Sequence, residues 1–379
     1  MNDISIMFEE MSTKIHIFGV GGCGGNALNN FIRQHGDCRV KTIAVNTDNQ
    51  DLNKSNAQEK ILIGEKVTKG RGTGAHPDLA EKIAEQEMEI IDASVKNADM
   101  AIICCGLGGG TGSGVSPVIA RAAKKNDALT LAIATVPFKF EGGAKIKIAK
   151  EYLTKLKEIA DAVIVVPNTR LIKGSGITMQ RAFEWGNEIL GTAIQVMSDL
   201  INETQYINVD FEDIKTVLKS SKDAYISMAT VTEKMIGEKG KTKGELIVDE
   251  LMNFPLIDAE TIKNIQRAIL YVEMGQEEDV SVMDEIQTRM LPYIRPNGNI
   301  IPSIDLKPGS KDIRATLIAG DFERDDNEYY FSDLTTMNQQ FPTTLFGDVR
   351  KVSNMTNRNV SANPMGNLDF PPRMDKDID

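Results

Sequence analysis

Residues 108–114, Gly-Gly-Gly-Thr-Gly-Ser-Gly, constrain this chain more than any other stretch. They follow an apolar run at 100–105 and precede a helical pattern at 116–124. A glycine-rich turn between a buried strand and a helix leaves backbone N–H groups free to close around an anion, and the helix dipole adds partial positive charge. Thr111 and Ser113 bring hydroxyl donors, and Pro117 is expected near the first helical turn, where its missing N–H costs nothing. A tight turn of purely structural use is the alternative. A second cluster at the end of another apolar run weighs against it: Gly19-Val20-Gly21-Gly22-Cys23-Gly24-Gly25, with a GxGxxG spacing at Gly19, Gly21 and Gly24. A third stretch, Gly70-Arg71-Gly72-Thr73-Gly74-Ala75, leads into Pro77. Glycine turns feeding helices in this way suit a triphosphate. None is a P-loop, since no GxxxxGK[ST] is present, so backbone and not a lysine is expected to cradle phosphate.

Apolar runs at 14–20, 42–45, 61–63, 100–105, 130–136 and 162–166 alternate with helical patterns at 26–33, 77–96, 116–124 and 144–159. Nearly continuous apolar strands separated by helices indicate an α/β fold with a parallel sheet covered on both faces. Ligands of such sheets sit at the carboxyl ends of the strands, where the glycine clusters fall. Residues 179–201 are apolar on more than one face, which predicts a buried central helix between two domains. From 210 to 322 helices mix with β segments at 225–231, 266–274, 299–304 and 313–319, as in a second α/β domain. The polar composition of 323–364 predicts a flexible linker. The expected organisation is a disordered start at 1–12, a binding domain at 13–176, a core helix at 177–202, a second domain at 203–322 and a tail at 323–379.

The formal net charge of -11 argues against strong nucleic-acid binding, which needs a basic face. No apolar run is long enough to cross a bilayer, and residues 1–12 lack the basic-then-apolar pattern of a secretory signal. A cytoplasmic protein is therefore expected, without insertion into membrane. Cys23, Cys38, Cys104 and Cys105 form no CxxC pair, and His16, His35 and His76 are scattered. Neither a disulfide nor a protein-built metal site is expected.

Residues 108–114 resemble the GGGTG[ST]G signature of the tubulin/FtsZ family, and the surrounding segments resemble its prokaryotic members. IFGVGGCGGNA at 17–27, AVNTDNQDL at 44–52 and GRGTGAHPD at 70–78 are similar to the first three nucleotide loops of that family. PFKFEG at 137–142 and VPNTR at 166–170 resemble its base-and-ribose loops, and INVDFEDIKTV at 207–217 its hydrolytic loop. The resemblance runs in order over about residues 14–322.

What the resemblance implies is a GTPase, binding GTP or GDP with Mg2+, that assembles head to tail into filaments of the cell-division ring at midcell. Gly22, Cys23 and Asn26 would line the first loop, and Thr73 and Gly74 would approach the γ-phosphate. Gly108, Gly109, Gly110, Thr111 and Gly112 would hold the phosphates. Glu141 and Asn168 would contact ribose or base, with Lys145 neutralising phosphate. Phe183 would stack on guanine and Asn187, one turn on along the same helix face, would bond its edge. Asn208, Asp210 and Asp213 would act on the neighbour's γ-phosphate. Without the resemblance, a helix cap is the better reading of Asp210.

Cys23 stands where the family usually has glycine, and the basic run after Glu141 is reduced to Lys145. The family's terminal peptide, which docks on membrane tethers, is shortened here to Leu368-Asp369-Phe370-Pro371-Pro372-Arg373. Two other readings stand beside division. One is a tubulin-like filament for plasmid or phage-DNA segregation, or a divergent division paralogue. The other is a dinucleotide oxidoreductase built on Gly19, Gly21 and Gly24, against which the ribose-binding acid is late, at Asp48.

Overall fold

Strand β1 (Ile15–Val20) is buried along its whole length. So are β5 (Leu129–Val136) and β6 (Ala162–Pro167), and β4 (Met100–Gly106) up to its last residue. Strands with no polar face belong in a sheet covered on both sides. The computed structural model describes residues 13–35, 39–171, 178–203, 205–219, 221–254, 256, 264–320 and 330–331. Within it these strands join β2 (Lys41–Asn46), β3 (Glu59–Leu62), β7 (Lys222–Val231), β8 (Ile265–Gly275), β9 (Ile294–Lys307) and β10 (Ile313–Gly320). They form one 10-stranded sheet of order β3-β2-β1-β4-β5-β6-β7-β10-β8-β9. Neighbours from β3 to β7 are parallel, β10 is antiparallel to β7 and β8, and β9 is parallel to β8. The region expected as a second α/β domain thus shares the sheet of the first. The join is short: Ala162, Val163 and Ile164 pair with Lys222, Asp223 and Ala224.

The main helices are α1 (Gly21–His35), α2 (Pro77–Gln86), α3 (Thr111–Lys125), α4 (Gly143–Ile159), α5 (Met179–Asn202) and α6 (Phe211–Leu218). Two begin earlier than residue types suggest, α1 at Gly21 and α3 at Thr111, so the glycine clusters form their first turns. Pro117 therefore lies inside α3, past its first turn, a correction to the sequence expectation. The helix there forgoes the bond to the carbonyl of Ser113. The single helix expected at 77–96 is broken at Glu87, and a separate helix spans Met88–Val95. The Glu87 carboxylate accepts from the N–H of Gly64 at 3.0 Å, which ties the break to the loop after β3.

Helix α5 is capped by Thr178, whose hydroxyl accepts from the N–H of Arg181. It buries Ala182, Ile189, Leu190, Ile194, Met197 and Leu200 and packs against α1. Tyr330 and Phe331, inside the stretch expected to be a linker, pack on the sheet's core. The Tyr330 hydroxyl donates to Asp223 Oδ1 at 2.9 Å. The expected tether peptide at 368–373 and the start at 1–12 lie outside the described residues, as does Cys38. Among the described residues no helix is long and apolar enough to cross a membrane.

Candidate nucleotide site

The carboxyl ends of β1, β4 and β5 open into a cleft of ≈ 430 Å³. Its walls include Gly22, Cys23 and Asn26 of α1, and Gly109, Gly110, Thr111 and Gly112 at the start of α3. Glu141, Lys145, Asn168, Phe183 and Asn187 complete the set expected from sequence, while Thr73, Gly74 and Gly108 are not among the walls. The cleft also takes in Val20 and Gly21 of the 19–25 cluster and Pro137 of the 137–142 segment, and with them Gly106, Leu107 and Thr135, which sequence reasoning missed. Their only signal was position at the strand ends beside the glycine clusters.

At one end the two clusters interlock. Gly21 has φ +69°, and a Cβ there would lie 3.0 Å from the backbone nitrogen of Gly112, so neither angle nor space admits a side chain. Gly110 at the N-cap of α3 offers no capping side chain, which leaves the helix's first N–H groups for a ligand. An added Cβ on Gly109 would meet nothing within 4 Å, so the backbone there faces open space in the cleft. The hydroxyls divide. Ser113 is buried outside the cleft walls, its Oγ accepting from the Gly108 N–H at 3.0 Å inside the turn, so it is not the ligand donor expected; Thr111 Oγ1 is 2.7 Å from Thr47 Oγ1. Thr73 Oγ1 is buried against Gly110 with no hydrogen-bond partner, a donor and acceptor left for something the chain does not supply.

The other end is aromatic and amide-lined. Phe183 packs edge-on against Phe138, centroids 5.0 Å apart, and remains 42% exposed; Phe138 stacks on Phe140 at 4.9 Å. Asn168 is buried, yet its Oδ1 has no partner. Cys23 sits on ordinary helical backbone, which is why a side chain is tolerated there. Its sulfur lies 3.4 Å from Thr135 Oγ1, and burial pushes the thiol up, so it stays neutral. Glu141 accepts from the Phe138 N–H at 2.9 Å and pairs with Lys145 Nζ at 2.9 Å. Lys145 is thus already matched by a carboxylate, and attraction for phosphate falls to the backbone of α1 and α3.

Residues 14–176 match the model of the Tubulin/FtsZ family, GTPase domain. The cell division protein FtsZ of Aquifex aeolicus is 36% identical over 313 residues, 82% of this chain and 83% of that one. The chain belongs to the tubulin/FtsZ family. Cell division protein FtsZ 1 of Pyrococcus horikoshii is similar at 35% over 319 residues, 83% of each chain. An empty FtsZ dimer from M. jannaschii superposes with TM-score 0.75 at 32% identity, covering 84% of this chain and 91% of that one. The GTPγS-bound protofilament of CetZ2 from Haloferax volcanii shares the fold, with TM-score 0.69 at 22% identity over 84% of this chain and 96% of that one. As a tubulin/FtsZ GTPase, the chain binds GTP and GDP and hydrolyses GTP.

The acidic residues of this FtsZ-family chain stand apart from the cleft. Asp210 and Asp213 form a reciprocal cap at the start of α6: Asp210 Oδ1 accepts from the Asp213 N–H at 2.8 Å, and Asp213 Oδ2 from the Asp210 N–H at 3.2 Å. The capping role that residue type alone suggested is therefore present. Asn208 Oδ1 accepts from the Gln205 N–H at 3.1 Å, which shapes the same loop. None of the three lines the cleft. They follow the far end of α5, which at 1.5 Å per residue runs about 22 Å from Asn187 to its last residue, Asn202.

Proposed function

We propose that this chain is a self-assembling GTPase of the cell-division kind, hydrolysing GTP at the contact between head-to-tail subunits. The observation that carries the reading is the division of roles along α5. Its first part presents Phe183 and Asn187 to the cleft, and the loop beyond its far end carries Asp210 and Asp213. Among the described residues Glu141 is the only carboxylate lining the cleft, and it is committed to Phe138 and Lys145. A second copy placed end-on supplies the missing acids. Such a contact does not close on itself, so it propagates as a filament. The FtsZ dimer and the CetZ2 protofilament among similar structures, and the cell division names of the relatives, support this.

In this mechanism the N–H groups at the start of α3 hold the phosphates, with Thr73 and Gly74 at the γ-phosphate. Phe183 stacks on guanine while Asn187, Asn168 and Asn26 meet its polar edge and the ribose. The neighbour's Asp213, with Asp210 and Asn208, orients a water in line with the γ-phosphorus. The P–O bond to the β-phosphate breaks, and GDP and phosphate leave. Losing the γ-phosphate removes the group both subunits grip, and the contact loosens. Mg2+ accompanies the triphosphate and offsets its charge. Among the described residues no three His, Cys, Asp or Glu side chains are grouped to hold a metal, so phosphate and water would be its main ligands. The terminal peptide at 368–373 would reach a membrane tether from filaments in the cytoplasm at midcell.

The test is Asp213→Asn beside Asp213→Ala. The amide oxygen of the first still accepts from the Asp210 N–H, so the helix cap survives while the charge is lost. Both variants are expected to keep GTP binding, lose at least about tenfold in phosphate release and leave over-stable filaments, a loss within the range of general-base removal. Normal release in Asp213→Asn would refute the role.

A further inference from the structure

Helix α2 starts just after the 70–76 loop, α3 within the 108–114 glycine cluster and α4 just after Gly142, so the loops facing phosphate are held wherever these helices are held. A network around Tyr152 of α4 joins them. The side chain of Tyr152 is fully buried in the core, and its hydroxyl lies 2.8 Å from Asp78 Oδ1 and 3.1 Å from Glu81 Oε2. Glu81 has other partners: Lys155 of α4 at 3.1 Å and Arg121 of α3 at 3.5 Å. Arg121 also pairs with Glu85 at 2.7 Å. Asp78, in the first turn of α2, is held by the Tyr152 hydroxyl. Burial, then the two carboxylates, push the phenol's pKa up, so it remains a donor throughout the working pH range.

The other end of this linkage is the loop. The N–H of His76 donates to the carbonyl of Thr73 at 3.1 Å, and the N–H of Ala80 to that of His76 at 3.2 Å, so the loop is continuous with the first turn of α2. Thr73 itself is wedged against Gly110, with its hydroxyl unpartnered. We infer that Tyr152 is a positioning residue which, through Asp78, fixes the 70–76 loop and thereby favours a nucleoside triphosphate over a diphosphate. The inference rests on the proposed placement of Thr73 and Gly74 at the γ-phosphate. A loop that meets only the outermost phosphate is a loop whose anchoring GDP does not sense.

The experiment measures binding of GDP and of GTPγS to the full chain, below its assembly concentration, for wild type, Tyr152→Phe and Asp78→Ala. Tyr152→Phe removes one oxygen and leaves the ring in the core. Asp78→Ala changes an exposed position, so it keeps the test open should the first variant not fold. Both are expected to weaken GTPγS about fivefold, the size of one net hydrogen bond, and to leave GDP within about twofold. The double variant should be no worse than Tyr152→Phe alone, because that variant has already lost the link to Asp78. Equal weakening of both nucleotides, or of neither, would overturn the role of Tyr152. A wild-type chain that bound neither nucleotide would instead refute the guanine-nucleotide reading itself.

Discussion

Phe183 rests its edge on Phe138 and keeps 42% of its surface exposed, in the wall of the cleft. Large aromatic rings that serve only a core are buried more completely. Base–aromatic stacking is worth about 1–3 kcal/mol, so Phe183→Ala is expected to weaken GDP and GTP alike by about tenfold or more. Titration calorimetry with a parallel melting curve checks this: a large loss of stability at unchanged affinity would make the ring a core residue. Phe183 and Asn187 were placed by the family resemblance, and their four-residue spacing, which puts them on one helix face, agrees with it. The place of Ser113 was not legible, since nothing in its residue type says that the Gly108 N–H claims its hydroxyl. Thr135 reads as an ordinary strand residue until folding brings it beside Cys23.

At the scale of elements, the strands were visible because burial on both faces leaves them apolar throughout. The helix starts were not. Glycine is a poor helix former, and the close packing of these glycines against one another and against the backbone of β4 at Cys104 and Gly106 accompanies the helix starts at Gly21 and Thr111. Helix α5 carries a less visible feature at its far end. Burial, with Glu203 and Glu273 nearby, raises Asp199 to about 6, although Gln195 donates to it and Lys307 lies near. The folded value is above the ordinary 3.8, so the folded chain holds this proton more tightly than the unfolded chain. The group's contribution is therefore fully favourable below that unfolded value and is lost as pH rises through about 6. Asp199→Asn, whose amide oxygen still accepts from Gln195, is expected to stabilise the chain at pH 7.5. The gain should be about 1 kcal/mol after allowing for partial solvent screening. Urea unfolding should show the gain shrinking towards zero near pH 4; a gain independent of pH would contradict the assignment.

At the scale of the molecule, the alternation of strand and helix was enough to read a doubly covered parallel sheet. It was not enough to read how the later strands attach. The join of β6 to β7 rests on a few pairs between segments some sixty residues apart, and local patterning does not encode such pairings. The same limit applies to the site. The glycine clusters of the cleft leave a local signature, and Phe183 and Asn187 were placed by the family resemblance, whereas the separation of the cleft from Asp213 exists only once α5 is folded. On the proposed reading, that separation leaves the cleft to be completed by a neighbouring subunit. The most direct measurement is GTP turnover per subunit against protein concentration, with light scattering recorded alongside. Turnover per subunit should be near zero in dilute solution and climb above a threshold concentration together with the scattering. Turnover per subunit that stays constant on dilution, with no scattering, would contradict a site completed by a neighbour.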